Sequence, residues 1–414
     1  MNTTRTDSIA ISPEASDASN KWASYIERLI PLGDAMADQL TEPQDPQLRQ
    51  ELFDLIYSQI AQGYMGLVYA DPKYPSFYPF INLAFNMLTP NPDNTYFCTP
   101  LDEHGIYKIS GFRGSVRIVD FLITAGTMYT CGEGGMPELG PGLVTHDLDR
   151  GVHIKEDGSF ELVLSAERPD GYEGDWWKLP AKSTFILGRQ ISCDWLNEVD
   201  GRFAIERLDL PAIRPRPTAD EIAAKLRAIS KWTEEWTKIL FAFMASVRKA
   251  GPVNQMRMRE NTKDEGGTPN QRNMSGYFKL DSDEALILET ELPERCRYWN
   301  VETSDDIKRM IDPVNRQTSL NNHTVKIDAD GKIRIVICEQ DPGVPNWLDT
   351  AGYRDFYMVS RFYECSSYPI PNMQKIKMAD VRKYVHADTP EITAEARDAA
   401  IRLRRKGAQL RRQW

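Results

Sequence analysis

Apolar side chains recur at spacings of three and four near the start of the chain, as on one face of an α-helix. Trp22, Tyr25 and Leu29 begin this pattern. We therefore predict a helical N-terminal region over residues 21–90. Residues 1–20 are polar and are predicted to form a disordered tail.

A second stretch with the same spacing, residues 214–256, starts with the stiff connector Arg214-Pro215-Arg216-Pro217. Thr218 and Glu221 then have the spacing of a capping box, in which a hydroxyl and a carboxylate bind the free amides of a helix start. Gly251-Pro252 is a typical helix end. The sequence thus predicts one long helix. Its apolar face consists of Ile222, Leu226, Ile229, Trp232, Trp236, Leu240, Phe243 and Val247.

Most of the remaining chain consists of short alternating or β-branched runs separated by Gly, Pro and Asp, which predict strands. These runs occupy two regions, residues 91–213 and 257–388. Because no helical pattern separates the runs within a region, antiparallel sandwiches are favoured over a parallel sheet. The predicted fold class is mainly β with helical segments, an α+β chain of several domains with a basic C-terminal helix over residues 389–414.

Composition narrows the class of protein. A length of 414 residues favours two or three domains, and a net charge of −10 argues against nucleic acid and anionic membranes as partners. No run of 18 apolar residues is present, so we expect no membrane insertion. The first 20 residues lack a secretory signal, and six dispersed cysteines without a CxxC motif fit reduced thiols. We therefore expect a cytoplasmic protein.

Asp120 is the most suggestive single residue. In an extended strand alternate side chains share a face, so Asp120 lies with Val116, Ile118 and Leu122. A carboxylate without a partner on an apolar face loses its hydration, which raises its pKa and suits it to acid–base catalysis. The alternative is a structural role, in which Asp120 pairs with an arginine such as Arg113 or caps a loop amide.

The segment from Asn91 to Tyr96 is dense in groups that direct hydrogen bonds. Asp93 is a candidate base, Asn94 a candidate donor to an oxyanion, and Tyr96 a candidate acid whose ring can stack on a substrate. The same residue types are common in turns, because Asn and Asp side chains bond to their own backbone. Both interpretations stay open for these residues.

Further candidates lie in the second β region. Trp299 and Asn300 are neighbours on a strand, so only one of them can face a given cavity. Arg316 lies between two amide residues and offers a guanidinium to a carboxylate or carbonyl oxygen, unless it pairs with one of the protein's own acids. Trp347 lies in a proline-containing loop, where it either closes the edge of a core or forms a wall of a ligand site.

The five histidines are scattered, and none has the spacing of a zinc ligand set. His323 is a candidate proton shuttle or a histidine of a surface loop. Residues 132–137 are rich in glycine but lack the pattern of a dinucleotide site, and no phosphate-binding loop or GxSxG motif is present. We therefore expect no metal and no organic cofactor.

The chain resembles a bacterial family with two adjacent domains of unknown function, numbered 1254 and 1214, from about Trp22 to Trp414. The resemblance implies an Ig-like β sandwich over residues 91–213, a helical segment, and a jelly-roll-like sandwich over residues 257–388. It implies no known reaction, and residues 302–309 are more charged than expected from it. The segments that carry it are Asn91-Pro92-Asp93-Asn94-Thr95-Tyr96, Tyr298-Trp299-Asn300-Val301, Asn315-Arg316-Gln317 and Pro345-Asn346-Trp347-Leu348.

These observations favour an enzyme that acts on a lipophilic small molecule by cofactor-free acid–base chemistry, in a lyase, hydratase or isomerase step. Asp93 or Asp120 is the predicted base and Tyr96 the predicted acid. The alternatives are a non-catalytic protein that binds a small molecule or carbohydrate, and a hydrolase with two carboxylates. We also expect a homo-oligomer. The predicted substrate-binding residues are Asn94, Asn300, Trp299, Arg316, Trp347 and His323.

Overall fold

The computed structural model describes residues 21–129, 140–259, 268 and 270–411. The predicted disordered tail and the glycine-rich residues 132–137 lie outside these ranges. The helical elements are the 3₁₀ turns Trp22–Tyr25 and Glu27–Leu29, α1 (Leu32–Ala37), α2 (Pro46–Tyr64), the π-helical turn Met65–Tyr69, α3 (Ala219–Lys249), the 3₁₀ turn Met378–Asp380, α4 (Val381–Tyr384) and α5 (Ala394–Leu410).

The first β domain is a sandwich of two sheets. Its strands are β1 (Tyr78–Pro79), β2 (Asn94–Pro100), β3 (Tyr107–Phe112), β4 (Ile118–Thr124), β5 (Gly142–Asp147), β6 (Ser159–Ser165), β7 (Asp175–Lys178), β8 (Phe185–Ile191) and β9 (Arg202–Arg207). One sheet has the order β1-β2-β8-β4-β5 and the other β7-β6-β3-β9. Side chains from both sheets, such as Phe121 and Leu162, fill the apolar core between them.

The second β domain is also a sandwich of a five-stranded and a four-stranded sheet. Its strands are β10 (Arg257–Met258), β11 (Gln271–Lys279), β12 (Glu284–Thr290), β13 (Cys296–Ser304), β14 (Ser319–Asn321), β15 (Ile333–Cys338), β16 (Trp347–Asp349), β17 (Asp355–Cys365) and β18 (Asn372–Lys377). The sheet orders are β10-β11-β17-β13-β14 and β16-β15-β12-β18. Phe278 and Ile335 belong to the core between these sheets.

The two sandwiches have the same topology. Adding nine to each strand number of the first sandwich gives the order of the second, and the parallel pairs β6–β7 and β15–β16 also correspond. The prediction of a mainly β chain with helical segments is confirmed. The terms Ig-like and jelly-roll-like, which the resemblance implies, therefore describe two domains with one strand order.

The five-stranded sheets of the two sandwiches face each other through their outer surfaces. On β4, alternation places Val119 and Phe121 in the core of the first sandwich and Ile118 on the opposite face. There Ile118 packs with Tyr298 of β13 and Tyr363 of β17. These three residues have no exposed surface, so the layer between the sandwiches is as buried as the cores.

Helices α2 and α3 cover the outer face of the first five-stranded sheet beside this layer. Thr218 and Glu221 form the predicted capping box of α3. Trp232 and Trp236 lie on the buried face of α3 with stacked rings, 6.2 Å between centroids. They belong to one apolar cluster with Tyr96 of β2, so the helices fix the position of that strand.

Candidate functional site

The segment from Asn91 to Tyr96 makes a turn as it enters β2. The Oδ1 atom of Asn91 accepts the backbone N–H of Asp93 at 3.0 Å, and the backbone N–H of Asn94 donates to the carbonyl of Asn91 at 3.0 Å. The hydroxyl of Tyr96 accepts the backbone N–H of Asn91 at 3.2 Å. The turn chemistry of the segment is therefore present, together with side chains that reach the layer between the sandwiches.

Asp93 is 1% exposed, and its carboxylate accepts three hydrogen bonds. The Tyr298 hydroxyl donates to Oδ2 at 2.7 Å, while the Trp195 indole N–H and the Asn321 amide donate to Oδ1 at 2.9 and 3.0 Å. Burial raises the pKa of Asp93, and the hydrogen bond from Tyr298 offsets part of this shift. Asp93 thus joins both sandwiches at one carboxylate.

Asn91 connects the same hydroxyl to a second buried amide. Its Nδ2 donates to the Tyr298 hydroxyl at 2.8 Å, and its Oδ1 accepts from Nδ2 of Asn300 at 3.0 Å. Asn300 lies on β13, two residues from Tyr298 and on the same face of the strand. Consequently one turn of the first sandwich is held by a row of polar side chains on the second.

Glu302 continues this row on β13. Its carboxylate is paired with Arg361 of β17 at 2.8 Å and lies 3.4 Å from Nδ2 of Asn300. Arg361 also donates to the backbone carbonyl of Thr89 at 2.8 Å. Burial raises the pKa of Glu302 to about 8, although the charge of Arg361 opposes this shift. A carboxyl group of this kind exchanges its proton near neutral pH.

Lys308 is 3% exposed and lies close to Glu302 and Arg361. Its Nζ atom is 4.0 Å from the ring centroid of Tyr357 and 5.7 Å from that of Phe243. Burial lowers the pKa of Lys308 to about 7, and nearby arginines, including Arg361, act in the same direction. We call these buried side chains the polar layer: Asn91, Asp93, Tyr298, Asn300, Glu302, Lys308 and Arg361.

The backbone beside Glu302 and Arg361 is strained. Thr89 and Lys308 have φ angles of 54° and 64°, in the left-handed region. The N–H of Thr89 donates to the carbonyl of Lys308 at 2.8 Å, so the two residues are in contact. A β-branched residue rarely adopts this conformation, and strained residues are concentrated at functional sites. Their position supports the polar layer as a candidate site.

A cleft beside α5 opens onto the polar layer. It is narrow, with a cavity volume of about 40 Å³, and its polar wall includes Asn91, Asn94, Tyr96, Trp195 and Arg411. Asn91 belongs to both the cleft and the polar layer, and Trp195 joins them because its indole N–H donates to Asp93. Half of the lining residues are apolar, and the polar groups among the others can direct hydrogen bonds to a small ligand. The rest of the lining consists of Asn82, Leu83, Pro90, Pro92, Thr95, Met310, Pro313, Val314 and Ala408.

Four of the residues predicted from the sequence meet at this place. Asp93 and Asn300 lie in the polar layer. The backbone N–H of Asp93 and the side-chain amide of Asn300 both donate to Oδ1 of Asn91. Asn94 and Tyr96 line the cleft. The segment from Asn91 to Tyr96 and the strand residues around Asn300 therefore form one site.

Asp120 belongs to another part of the layer between the sandwiches. Its carboxylate is 3.5 Å from Arg189 of β8, and burial raises its pKa while Arg189 opposes that shift. Arg113, which the sequence suggests as a partner of Asp120, instead pairs with Asp149 at 2.6 Å. Trp299 points into the core of the second sandwich, so Asn300 is the neighbour that faces the site.

The other three predicted residues lie away from the polar layer. Trp347 packs in a buried apolar cluster with Val336 and Ile376 on the far side of the second sandwich. Arg316 pairs with Asp349 at 2.7 Å. His323 is half-exposed, with Nε2 3.5 Å from a carboxylate oxygen of Asp194 in the preceding sandwich.

Glu302, Lys308 and Arg361 were not among the predicted site residues. The sequence contains a signal for Glu302, because Tyr298, Asn300 and Glu302 alternate along one strand and must share a face. Arg361 lies opposite Asn300 only through the register of β13 and β17, which no local pattern encodes. Lys308 has no such signal, since its position depends on the loop after β13.

Two classes of feature are absent from the described part of the chain. Within residues 21–129, 140–259, 268 and 270–411, no group of three or more His, Cys, Asp or Glu side chains is arranged to hold a metal ion. None of the described helices combines the length and apolar character needed to cross a membrane.

The family model for a protein of unknown function, DUF1214, matches residues 272–367, which include Tyr298, Asn300, Glu302, Lys308 and Arg361. The pairing with domain 1254 stays a prediction. The chain is similar to an uncharacterised protein from Burkholderia cenocepacia, with 26% identity over 86% of this chain and 97% of that chain and a TM-score of 0.77. A protein from Vibrio parahaemolyticus has 14% identity over 83% and 100% of the two chains, with a TM-score of 0.45. No curated protein matches the sequence.

Proposed function

We propose that this chain is an enzyme that moves protons on a lipophilic small molecule, without an organic cofactor, in a lyase, hydratase or isomerase reaction. The observation that carries the proposal is the presence of Glu302 and Lys308 in one buried layer around Arg361, with pKa values of about 8 and about 7. Acids and bases work best when their pKa lies near the operating pH. Environments that bring a carboxyl group and an amine to this range are characteristic of active sites.

The cleft supplies the groups that would contact the substrate. In this proposal Tyr96 is the acid, and the amide of Asn94 holds a substrate oxygen. Glu302 is the base, and the hydrogen bonds from Asn300 to Glu302 and to Asn91 connect it with the cleft wall. Asp93 orients Trp195 and Tyr298, because each donates to its carboxylate.

Proton exchange in heavy water tests this proposal without a known substrate. The protein is incubated in D₂O with a defined mixture of ketones, enoyl compounds and hydroxy acids, and mass spectrometry detects any compound that gains carbon-bound deuterium. We expect exchange or conversion with the wild type, and a loss of at least tenfold in Tyr96→Phe and in Glu302→Gln.

Two matched variants control for general damage. Tyr353→Phe removes a hydroxyl that donates to Glu51 at 2.8 Å. Glu289→Gln, on β12, removes a carboxylate that is paired with Lys332. Both should retain the wild-type rate. Equal rates in all four variants, or exchange by none of the proteins, would count against the proposal.

The second candidate is a protein that binds a small molecule and returns it unchanged. It is favoured by Asp93, whose carboxylate is held by three donors and has the character of a structural support. Native mass spectrometry with the same compounds separates the candidates: a retained compound with no deuterium supports binding alone. The proposal also includes a cytoplasmic location and a homo-oligomeric state. Light scattering measures the oligomeric state.

A further inference from the structure

Cys296 and Cys365 form a pair of thiols at the ends of two central strands. Cys296 is the first residue of β13 and Cys365 the last residue of β17, and they are direct partners across the antiparallel pair. Their sulfur atoms are 2.9 Å apart, and both residues are half-buried. The pair is therefore in contact and within reach of a small reagent.

The backbone holds this pair at a separation that suits a covalent bond. On one side Tyr298 and Tyr363 continue the strand pairing, and on the other the N–H of Ser366 donates to the carbonyl of Arg295 at 2.8 Å. Directly opposed residues of antiparallel strands have Cα atoms roughly 4.5–5.5 Å apart. Disulfides span Cα separations of about 4.4–6.8 Å, so neither strand has to move.

The other described thiols are enclosed by the protein. Cys193 and Cys338 are each 1% exposed, and Cys98 is fully buried. Cys193 contacts the amide oxygen of Asn322 at 3.5 Å, and Cys338 contacts the carbonyl of Gln340 at 3.1 Å. Oxidation is selective for thiols that are accessible and have a second thiol beside them.

We propose that Cys296 and Cys365 are a reversible oxidation site that forms an intramolecular disulfide across β13 and β17, with a low-molecular-weight disulfide as oxidant. The Cys365 thiolate attacks the oxidant RSSR, which forms a mixed disulfide and releases one RS⁻. The Cys296 sulfur, after losing its proton, attacks the Cys365 sulfur and releases the second RS⁻. The two protons from the cysteines convert both products to RSH, so RSSR is reduced as the protein dithiol is oxidised.

Either sulfur can donate in their contact, and the proposal assigns Cys296 as the donor and Cys365 as the attacking sulfur. A hydrogen bond from the Cys296 thiol stabilises a thiolate at Cys365 and lowers the pKa of Cys365, whereas the same contact and burial raise the pKa of Cys296. A thiolate is the reactive form of cysteine. Cys365 is accordingly the first sulfur to react, and Cys296 resolves the mixed disulfide.

The bond would join the two strands that carry the polar layer. Tyr298, Asn300 and Glu302 lie on β13 after Cys296, and Arg361 lies on β17 before Cys365. Oxidation therefore limits relative movement of Glu302 and Arg361, whatever reaction or ligand the site serves. The inference does not depend on the proposed acid–base function.

Thiol mapping of the full chain tests the proposal. The folded protein is equilibrated in buffers with graded ratios of glutathione disulfide to glutathione and quenched with acid, and the precipitated protein is then alkylated with excess iodoacetamide in denaturant at pH 8. We expect a peptide that links Cys296 to Cys365, two fewer alkylated thiols at the oxidising end, and full recovery of both thiols with dithiothreitol. Both cysteines alkylated across the whole series, or a link from either one to another cysteine, would overturn the proposal.

Single serine variants separate the two roles. C296S should accumulate a glutathione adduct on Cys365, because the resolving sulfur is missing, whereas C365S should gain an adduct on Cys296 at least tenfold more slowly. C193S is the matched control and should form the link as the wild type does. Equal adduct rates in C296S and C365S would overturn the assigned order, and wild-type mapping tests the link even if a variant fails to fold.

Discussion

Each sandwich has a buried arginine on the corresponding central strand, and the two sandwiches supply its acid differently. On β8, Arg189 lies opposite Asp120 of β4, whereas on β17 Arg361 lies opposite Asn300 of β13. Because the strand orders coincide, Asn300 occupies the position of Asp120. The acid of the second sandwich lies two residues further along, at Glu302, 2.8 Å from Arg361.

This difference changes what each acid–arginine pair can reach. In the first sandwich the acid itself lies opposite its arginine. In the second, an amide in that position binds both Glu302 and Asn91, and Asn91 lines the cleft. An asparagine on β13, in place of the aspartate on β4, thus connects the buried Glu302–Arg361 pair to the wall of the cleft. Two domains with one topology need not have one function, since function depends on the site.

Replacing either acid by leucine should have the largest effect. Asp120→Leu and Glu302→Leu each remove the acid beside a buried guanidinium, which keeps its charge, and should lower the free energy of unfolding by about 3–5 kcal/mol. Urea denaturation at pH 7 measures this loss. The double variant Glu302→Leu/Arg361→Met should recover most of it; a double variant as unstable as the single one would show that the pairing is not the cause.

Substitutions of Asp93 test the hydrogen bonds that link the first sandwich to the second. Asp93→Ala leaves Tyr298, Trp195 and Asn321 without their common acceptor and should reduce stability by about 2–4 kcal/mol. Asp93→Asn retains one acceptor oxygen and should lose roughly half as much. Urea denaturation of both variants checks the order, and equal losses would indicate that the side-chain volume matters more than the hydrogen bonds.

Lys308 should destabilise the fold, in contrast to an ordinary surface lysine. Its folded pKa of about 7 lies below the ordinary value of 10.5, so the cost of charging it is fully present below pH 7 and disappears as pH rises to about 10.5. Lys308→Met should therefore raise stability by about 1–3 kcal/mol below pH 7, and less above it. Thermal unfolding from pH 6 to pH 10 measures this, with the exposed Lys326→Met as the control that should not change.

Glu302 should give the opposite dependence on pH with a comparable amplitude, because its folded pKa is displaced from the ordinary value as far as that of Lys308. Its folded pKa of about 8 lies above the ordinary 4.5, so the wild type loses stability as pH rises from 4.5 through 8. Glu302→Gln cannot ionise, and its stability relative to the wild type should increase by about 1–2 kcal/mol over that range. A difference that is flat from pH 4.5 to pH 9 would contradict the raised pKa.

Local patterns in the sequence were sufficient for the long helices, for many strands and for one wall of the site, whereas residues 70–90, predicted as helical, contain β1 and no helix. The spacing of Thr218 and Glu221 predicts the start of α3, and period-two runs predict strands. The polar cluster from Asn91 to Tyr96 also contributes four side chains to the candidate site: Asn91, Asp93, Asn94 and Tyr96. These signals are local because they depend on backbone geometry and on neighbouring residues.

The rest of the site depends on pairings between distant residues. The sequence leaves open whether Trp299 or Asn300 faces a cavity, because either face of β13 is buried. Asp120 is suggestive on its own strand, yet its partner Arg189 comes from a strand that starts about 60 residues later, a separation typical of non-local sheet pairing. Thr89 and Lys308 adopt positive φ without being Gly or Asn, so no residue type signals the strain.

The cleft has a consequence for the order of events during translation. Asn91 and Tyr96 belong to the first sandwich, which can fold while later residues are still inside the ribosome. Ala408 and Arg411, which complete the wall, belong to α5 and its end, and Arg411 is fixed by Asp200 at 3.3 Å. A nascent chain that has released only the first domain therefore offers an incomplete cleft. The wall is complete only once Arg411 has docked on the first sandwich.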